Sequence, residues 1–548
     1  MEVAVRRLSK EDLKGERLEE LRRLWAELTS EYGGDELEYD GAAEEAWRRA
    51  MFASLGSDEA RVLVAESRED GSILGYVFFV ILKWQTSPFR AGRGSGRCPS
   101  GTRGELSKVI RAPGGGLPRS AVGMTITEKI LARASGRSSV SPGDVVVARV
   151  DRVMMHDVGA PGVWEVFQEL RSRGVDVSRL FNPAMVWMTE DHFVPPPDAK
   201  SAENLRIMER MADMYGISEY YRFGMGTYGV CHTLAYEEAL VLPGQVYVGT
   251  DSHTVTSGAL GAFATGMGHT DVAYILLHGK NWFRVPETIL FRLRGELRDG
   301  VMAKDVILRV LGDIGADGAN YMAMEFAGDG VASMPIEERM TITNMTVEAG
   351  AKNGIMAPDA RVVEYYREKG KEVQVIASDP DAEYRDVHDY ELPRIVPMVA
   401  KPHSPANAVE LSEVEGTEID EAYLGSCTGG KYHDMAAAAR VLKRAGRRAR
   451  ARLVVVPSST NVYRRMLREG LIDVFMDAGA VIGPPTCGAC IGGHMGVLGP
   501  DEVAISSTNR NFPGRMGHRT SKVYLASPAS VAASAVEGRI ADPRRFLG

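Results

Sequence analysis

Cysteine is scarce: there are five in 548 residues, unevenly placed. That excludes a disulfide scaffold and points to a reducing cytoplasm. Positive charge is not in excess. Lys and Arg number 65 against 73 Asp and Glu, a formal net charge of −8, which argues against broad binding to nucleic acid or anionic membrane. Long apolar runs are missing as well. The longest, Ile73–Leu82, is too short to span a bilayer. The opening stretch MEVAVRRLSKEDLKGE has no signal-peptide core.

What is present is an ordinary globular composition, 44% hydrophobic and 25% charged. At about 150 residues per domain, the length predicts three to four domains. Residues 1–90 read as a small α+β unit. Leu18, Leu21, Leu24, Trp25 and Leu28 recur at helical spacing, and Arg61–Glu66 with Ile73–Trp84 predicts a hairpin around Asp70-Gly71. This unit resembles the front, truncated half of a GNAT-type acetyltransferase. Residues 91–123 are rich in Gly and Arg and poor in large apolar groups, so they predict a linker. Gly92-Arg93-Gly94-Ser95-Gly96 lacks the following helix that would make it a phosphate cradle. From Met124 the texture changes, with Thr125 placed to cap a helix.

The remaining chain alternates short apolar runs with helical stretches, the pattern of an α/β fold. Polar clusters follow several predicted strands. Glu190-Asp191-His192 follows Met185–Met188, and Asp251-Ser252-His253 follows Gln245–Gly249. Gly425-Ser426-Cys427-Thr428 follows Ala422–Leu424, and Cys487-Gly488-Ala489-Cys490 follows Ala480–Ile482. Ligands of open α/β sheets bind beyond the C-terminal strand ends, so these clusters predict a strand-end cleft.

Three soft thiolates on Gly-rich turns, Cys427, Cys487 and Cys490, suit an iron–sulfur cluster. Three ligands leave one iron of a cubane open. The same spacing admits a Cys3His zinc site with His494 or His433, or a redox C-x-x-C. Cys98 reads as a free thiol in the linker, and Cys231 as a buried small hydrophobe. Asp191-His192 and Asp251-His253 set a carboxylate beside an imidazole, as proton transfer requires. Glu325, in the apolar stretch Tyr321–Ala327, reads either as exposed at a helix end or as buried with a raised pKa. Arg510 and Arg515 offer two guanidinium forks for a di- or tricarboxylate, or a solvated surface loop.

Together, Asp251–Ala259, Gly425–Thr428, Cys487–Gly496, Asn509–Arg515, Met340–Met345 and Glu348–Lys352 resemble the aconitase superfamily, specifically its isopropylmalate dehydratase large subunits, over roughly Met124–Gly548. The resemblance implies an aconitase-like α/β fold: three α/β/α domains, roughly 124–300, 301–418 and 419–548, around a [4Fe–4S] cleft. It implies cluster ligands Cys427, Cys487 and Cys490. The acid–base network would be Asp191, His192, His232, Asp251, His253 and Glu325, and the substrate groups Ser252, Asn509, Arg510 and Arg515. The implied reaction is reversible dehydration of a hydroxy-di- or tricarboxylate, with isopropylmalate in leucine biosynthesis foremost. Homoaconitate, dimethylmalate and maleate or citramalate are the alternatives. Full-length aconitases carry a fourth, mobile domain with the serine base. Nothing here resembles it, so the resemblance implies a separate small-subunit partner. Gly429-Gly430-Lys431 stands where the family usually has Asn-Gly-Arg. The acidic balance argues against a cluster-free RNA-binding regulator, and truncation argues against an acetyltransferase. Met124 is read as a plausible start, with the preceding residues a fusion remnant or an over-extended reading frame.

Overall fold

The computed structural model describes residues 3–7, 60–67, 73–80 and 123–547. They belong to two separate compact units, divided near residue 114. In the first unit, Val3–Arg7, Ala60–Ser67 and Ile73–Val80 form a three-stranded antiparallel sheet in chain order. The second and third strands are the two expected hairpin partners. The helical spacing at Leu18–Leu28, Asp70-Gly71, Cys98 and nearly all of the expected linker lie outside the described residues.

The second unit holds three large sheets. The first orders its five strands Glu219–Tyr221, Val186–Thr189, Arg152–His156, Val246–Gly249 and Phe263–Gly266, all parallel. Its residues Val153, Val186, Val246 and Val248 are fully or almost fully buried, as a sheet covered by helices requires. Helices Gly159–Ser172, Ala199–Tyr215 and His269–His278 supply Val163, Phe167, Met208, Met211, Val272 and Ile275 to the same core. The helix Ile126–Ala134 starts where the sequence predicts. Thr125 accepts from the Glu128 N–H and Glu128 from the Thr125 N–H, a reciprocal cap.

The second sheet orders Asn353–Met356, Ala323–Ala327, Thr288–Arg294 and Asp386–Glu391, again all parallel. The third has seven strands in the order Ala408–Glu410, Met398–Ala400, Lys522–Ala526, Val503–Ser506, Glu421–Leu424, Arg452–Val455 and Val481–Ile482. Its last five strands are parallel, and Met398–Ala400 runs antiparallel to both neighbours. Among the described residues, no helix is long and apolar enough to cross a membrane.

The third sheet docks against the first through backbone bonds at strand ends. The Cys487 N–H donates to the Asp191 carbonyl at 2.7 Å, and the Val230 N–H to the Ser458 carbonyl at 2.7 Å. The polar clusters of the two sheets therefore face one another.

Candidate active site

Two strands of the first sheet end in charged pairs. His156-Asp157 closes Arg152–His156, and Asp191-His192 follows Val186–Thr189 by two residues. The Asp157 carboxylate accepts from the N–H groups of Asp191, His192 and Phe193 at 2.7–3.1 Å. It thereby fixes the turn that presents His192. Asp191 holds His192 Nδ1 at 2.6 Å and the Cys231 N–H at 2.7 Å. Burial works against a charge on Asp191, but the His192 imidazole outweighs it and holds the carboxyl at about 2. Burial likewise works against a charged His192, and Asp191 overcomes it, so His192 titrates well above the ordinary imidazole range. His156 stacks on His192 with ring centroids 4.2 Å apart. Burial first, then the His192 charge, push it down to about 4. Side chains of His156, Asp157, Asp191 and His192 lie close enough to share an ion. The three N–H bonds to Asp157 and the His192 bond to Asp191 already occupy their carboxylates, so they read as a hydrogen-bond scaffold.

Asp251 is the hub. It caps the 3-10 turn Ser252–Leu260 by accepting the His253 N–H at 2.7 Å. Its carboxylate lies 3.0 Å from His232 Nε2, 3.4 Å from His192 Nε2 and 3.5 Å from His253 Nδ1. Burial opposes its charge, yet these three imidazoles hold it well below the usual carboxylate range. His253 Nε2 meets Glu348 Oε1 at 2.7 Å, and the same oxygen accepts Arg510 Nε at 2.8 Å.

The opposite wall carries sulfur. Cys427, Cys487 and Cys490 are buried at strand ends of the third sheet. They line one cavity with His192, His232, Asp251, His253, Asn509 and Arg515. Cys231, expected to be only a small core residue, is fully buried and also lines this cavity. Burial first, then Asp191 and Asp251, keep its thiol protonated. Neither His494 nor His433, the candidate fourth zinc ligands, is among the lining residues. His433 pairs instead with Glu338.

The donor set fits an iron–sulfur cluster. Three thiols converge with no fourth nitrogen ligand from the expected histidines, and amides are aimed at sulfur. Asn344 Nδ2 lies 3.1 Å and Asn509 Nδ2 3.3 Å from Cys427 Sγ. Such donors stabilise thiolate charge. The buried Nε of Arg515 has no partner within the protein, as a donor facing a guest would.

Three expected residues are placed differently from the cluster. Glu325 is not at a helix end. It lies on the strand Ala323–Ala327, buried, with Ser378 Oγ at 2.8 Å and Tyr384 Oη at 3.2 Å. Burial raises its pKa, as anticipated, but neither Glu325 nor these two partners is among the residues that line the cavity. Glu348 stands in the site in its place. Arg510 reaches the site through Glu348 and does not line the cavity. Ser252 lines a neighbouring opening with Thr250, Gly268 and Lys352. His156, Asp157, Asn344 and Glu348 are additional residues of the site that carry no local sequence signal of their own. Glu348 and Asn344 sat inside motifs already singled out, whereas His156-Asp157 followed a short strand with no other signal.

The Gly429-Gly430-Lys431 segment lies beside this wall. A Cβ on Gly429 would sit 2.0 Å from Ser507 Oγ, so no larger residue fits there as packed. Lys431 is fully buried, with Nζ 2.8 Å from Asp434, 2.9 Å from Thr341 Oγ1 and 3.1 Å from the Cys427 carbonyl.

A family model for the aconitase family (aconitate hydratase) matches residues 128–417 and 412–538. The chain belongs to the aconitase family. The 3-isopropylmalate dehydratase large subunit 1 of Methanopyrus kandleri is 48% identical over 427 residues, covering 78% of this chain and all of the relative. The large subunit from Aquifex aeolicus is 46% identical, covering 77% and 97%. Large subunit 1 of Pyrococcus furiosus is 47% identical, covering 78% and 99%. Among solved structures, Thermococcus kodakaraensis aconitase X covers 67% of this chain and 84% of its own at 12% identity. The TM-score is 0.41.

Proposed function

We propose that this chain is the large subunit of a hydro-lyase that interconverts 2-isopropylmalate and 3-isopropylmalate by dehydration and rehydration, in leucine biosynthesis. In this reading it works in the cytoplasm with a small, swivel-domain subunit, as the names of its relatives suggest. Four unpaired cysteines among the described residues suit that compartment. The observation that carries the reading is the meeting of three thiols and an aspartate-centred trio of histidines at one cavity. The same reading divides residues 124–548 into three α/β/α domains, roughly 124–300, 301–418 and 419–548. The first sheet lies wholly in the first range, while the second sheet takes Thr288–Arg294 from the first range and the third takes Met398–Ala400 and Ala408–Glu410 from the second.

Cys427, Cys487 and Cys490 would hold a [4Fe–4S] cluster, which would supply Lewis-acid chemistry at the substrate. The protein groups do the rest. Dehydration breaks a C–H bond and the C–O bond on the adjacent carbon, and the C–H electron pair becomes the double bond. The departing hydroxyl needs a proton. His192, His232 and His253 all meet the Asp251 carboxylate, which orients each ring and stabilises an added proton. The Arg515 guanidinium, with its free Nε, faces a substrate carboxylate. Glu348 sets the position of both His253 and Arg510. The carbon-bound proton goes to a base on the small subunit.

The test is anaerobic rebuilding of the cluster, addition of the cognate small subunit, and assay with both isopropylmalate isomers. Turnover of both, dependent on iron and on the small subunit, is expected. A colourless protein holding tightly bound zinc, or full activity without the partner, would overturn the reading. Homocitrate, dimethylmalate, maleate and citramalate belong in the same panel, because Gly429 and Lys431 change the segment next to Cys427.

A further inference from the structure

Lys304 is 1% exposed, on the second residue of the helix Ala303–Ile314. Its ammonium group donates to the Thr508 carbonyl at 2.5 Å, the Ser507 carbonyl at 3.0 Å and Thr428 Oγ1 at 3.3 Å. All three acceptors belong to the loops that carry Cys427 and Asn509. Among the described residues it forms no ion pair with a carboxylate, unlike Lys431, which is neutralised by Asp434 at 2.8 Å. A buried, unpaired ammonium is costly unless negative charge lies close by. Of the anionic groups near these loops, Asp434 is already paired with Lys431, which leaves the sulfurs. Burial and the Lys431 charge push Lys304 down to about 7, while Cys427, Asp434 and Cys490 pull the other way.

We propose that Lys304 is the buried counter-charge of the three-cysteine cage: it ties the Cys427 and Asn509 loops together and offsets the negative charge of the thiolate-held cluster. A [4Fe–4S] core in its usual oxidised state, held by three thiolates, carries net negative charge. Reduction adds more. Lys304 therefore favours both retention of the cluster and its reduced state. It is a positioning residue that does not touch the substrate.

The inference rests on the cage proposed above, and the experiment separates the two. The full chain is prepared as wild type, Lys304→Gln, Lys304→Met and the double variant Lys431→Met/Asp434→Asn. Each is rebuilt anaerobically. Iron and sulfide content, the lifetime of the cluster's visible absorbance in air, and the midpoint potential of the cluster are measured. Circular dichroism of the metal-free chains checks the fold.

Both Lys304 variants are expected to take up cluster, to lose it severalfold faster in air, and to show a more negative potential. Gln keeps part of the hydrogen bonding but not the charge, so its potential should follow that of Met. The double variant removes a neutral pair and should move the potential less. A wild-type chain that takes up no cluster would overturn the cage and this role with it. A wild type that takes up cluster, beside folded Lys304 variants with unchanged lifetime and potential, would overturn only the role of Lys304. Loss of the metal-free fold in both Lys304 variants would make the residue merely structural and also overturn the inference.

Discussion

On the wall built by the five-stranded sheet, buried carboxylates and imidazoles answer one another: Asp191 with His192, and Asp251 with His192, His232 and His253. On the wall built by the seven-stranded sheet, three buried thiols face two buried lysines, and only one of those lysines has a carboxylate. The charged pairs of the first wall find their partners within the chain. The second has donors aimed at sulfur and an excess of buried cation, an arrangement completed by an anionic guest. A site can thus be half preorganised by its own charges and half organised by what it holds.

The strongest test of that contrast is Cys487→Ser. We expect loss of cluster uptake and of all measurable dehydratase activity, while the melting temperature of the metal-free chain stays near wild type. A large drop in the metal-free melting temperature would show that the thiol wall is also self-supporting. Asp251→Asn probes the other wall. It should lower kcat by about 10²–10⁴-fold, the range for general acid–base groups. It should also lower the stability of the metal-free chain, because three imidazoles lose their common partner. An unchanged metal-free melting temperature would break the comparison.

The third test uses pH and the helix that carries Lys304. Asp305 is fully buried and accepts the Met302 and Met398 N–H groups, each at 2.8 Å. Burial raises its pKa to about 7. Between its ordinary value near 4 and this raised value, the folded chain holds a proton that the unfolded chain has lost. Stability is therefore greatest at the acid end and falls as pH rises through that window. The loss is on the order of a few kcal/mol, at roughly 1.4 kcal/mol per unit. Unfolding followed from pH 4 to 8 checks this contribution, and Asp305→Asn should remove it.

The smallest effect separates two glutamates. Glu348→Gln should lower kcat about 10–100-fold, as loss of a group that orients catalytic residues does. Glu325→Gln should leave kcat near wild type and change only stability. The reverse result would restore Glu325 to the site.

These two residues also show what the sequence could and could not convey. The cysteines and Asp251-His253 were readable because their chemistry is local: a short spacing after a predicted strand. The helix cap at Thr125 and most strand ends were readable for the same reason. Glu325 attracted notice as an acid in an apolar run. It is buried with a raised pKa, but burial does not say which partners a carboxylate meets. Ser378 and Tyr384 meet this one from over fifty residues away in the chain. Glu348 enters the site through a contact with His253, 95 residues distant. Lys304 looked like any helix lysine, because its acceptors lie 124 to 204 residues further on. What stayed hidden was long-range pairing, which no window of neighbouring residues contains.

The bonds that lock the two walls together also set the order of events in the life of the chain. The Thr486 hydroxyl and the Asp191 carbonyl that it meets are 295 residues apart. Contacts of such separation form late, after each sheet has folded around its own local pairings. On a growing or refolding chain, the histidine pocket therefore exists before its sulfur lid. The cluster proposed above would be enclosed only once both halves have met. A chain delayed at that stage would present bare thiols to oxygen, so we expect slower docking to lower the yield of loaded protein.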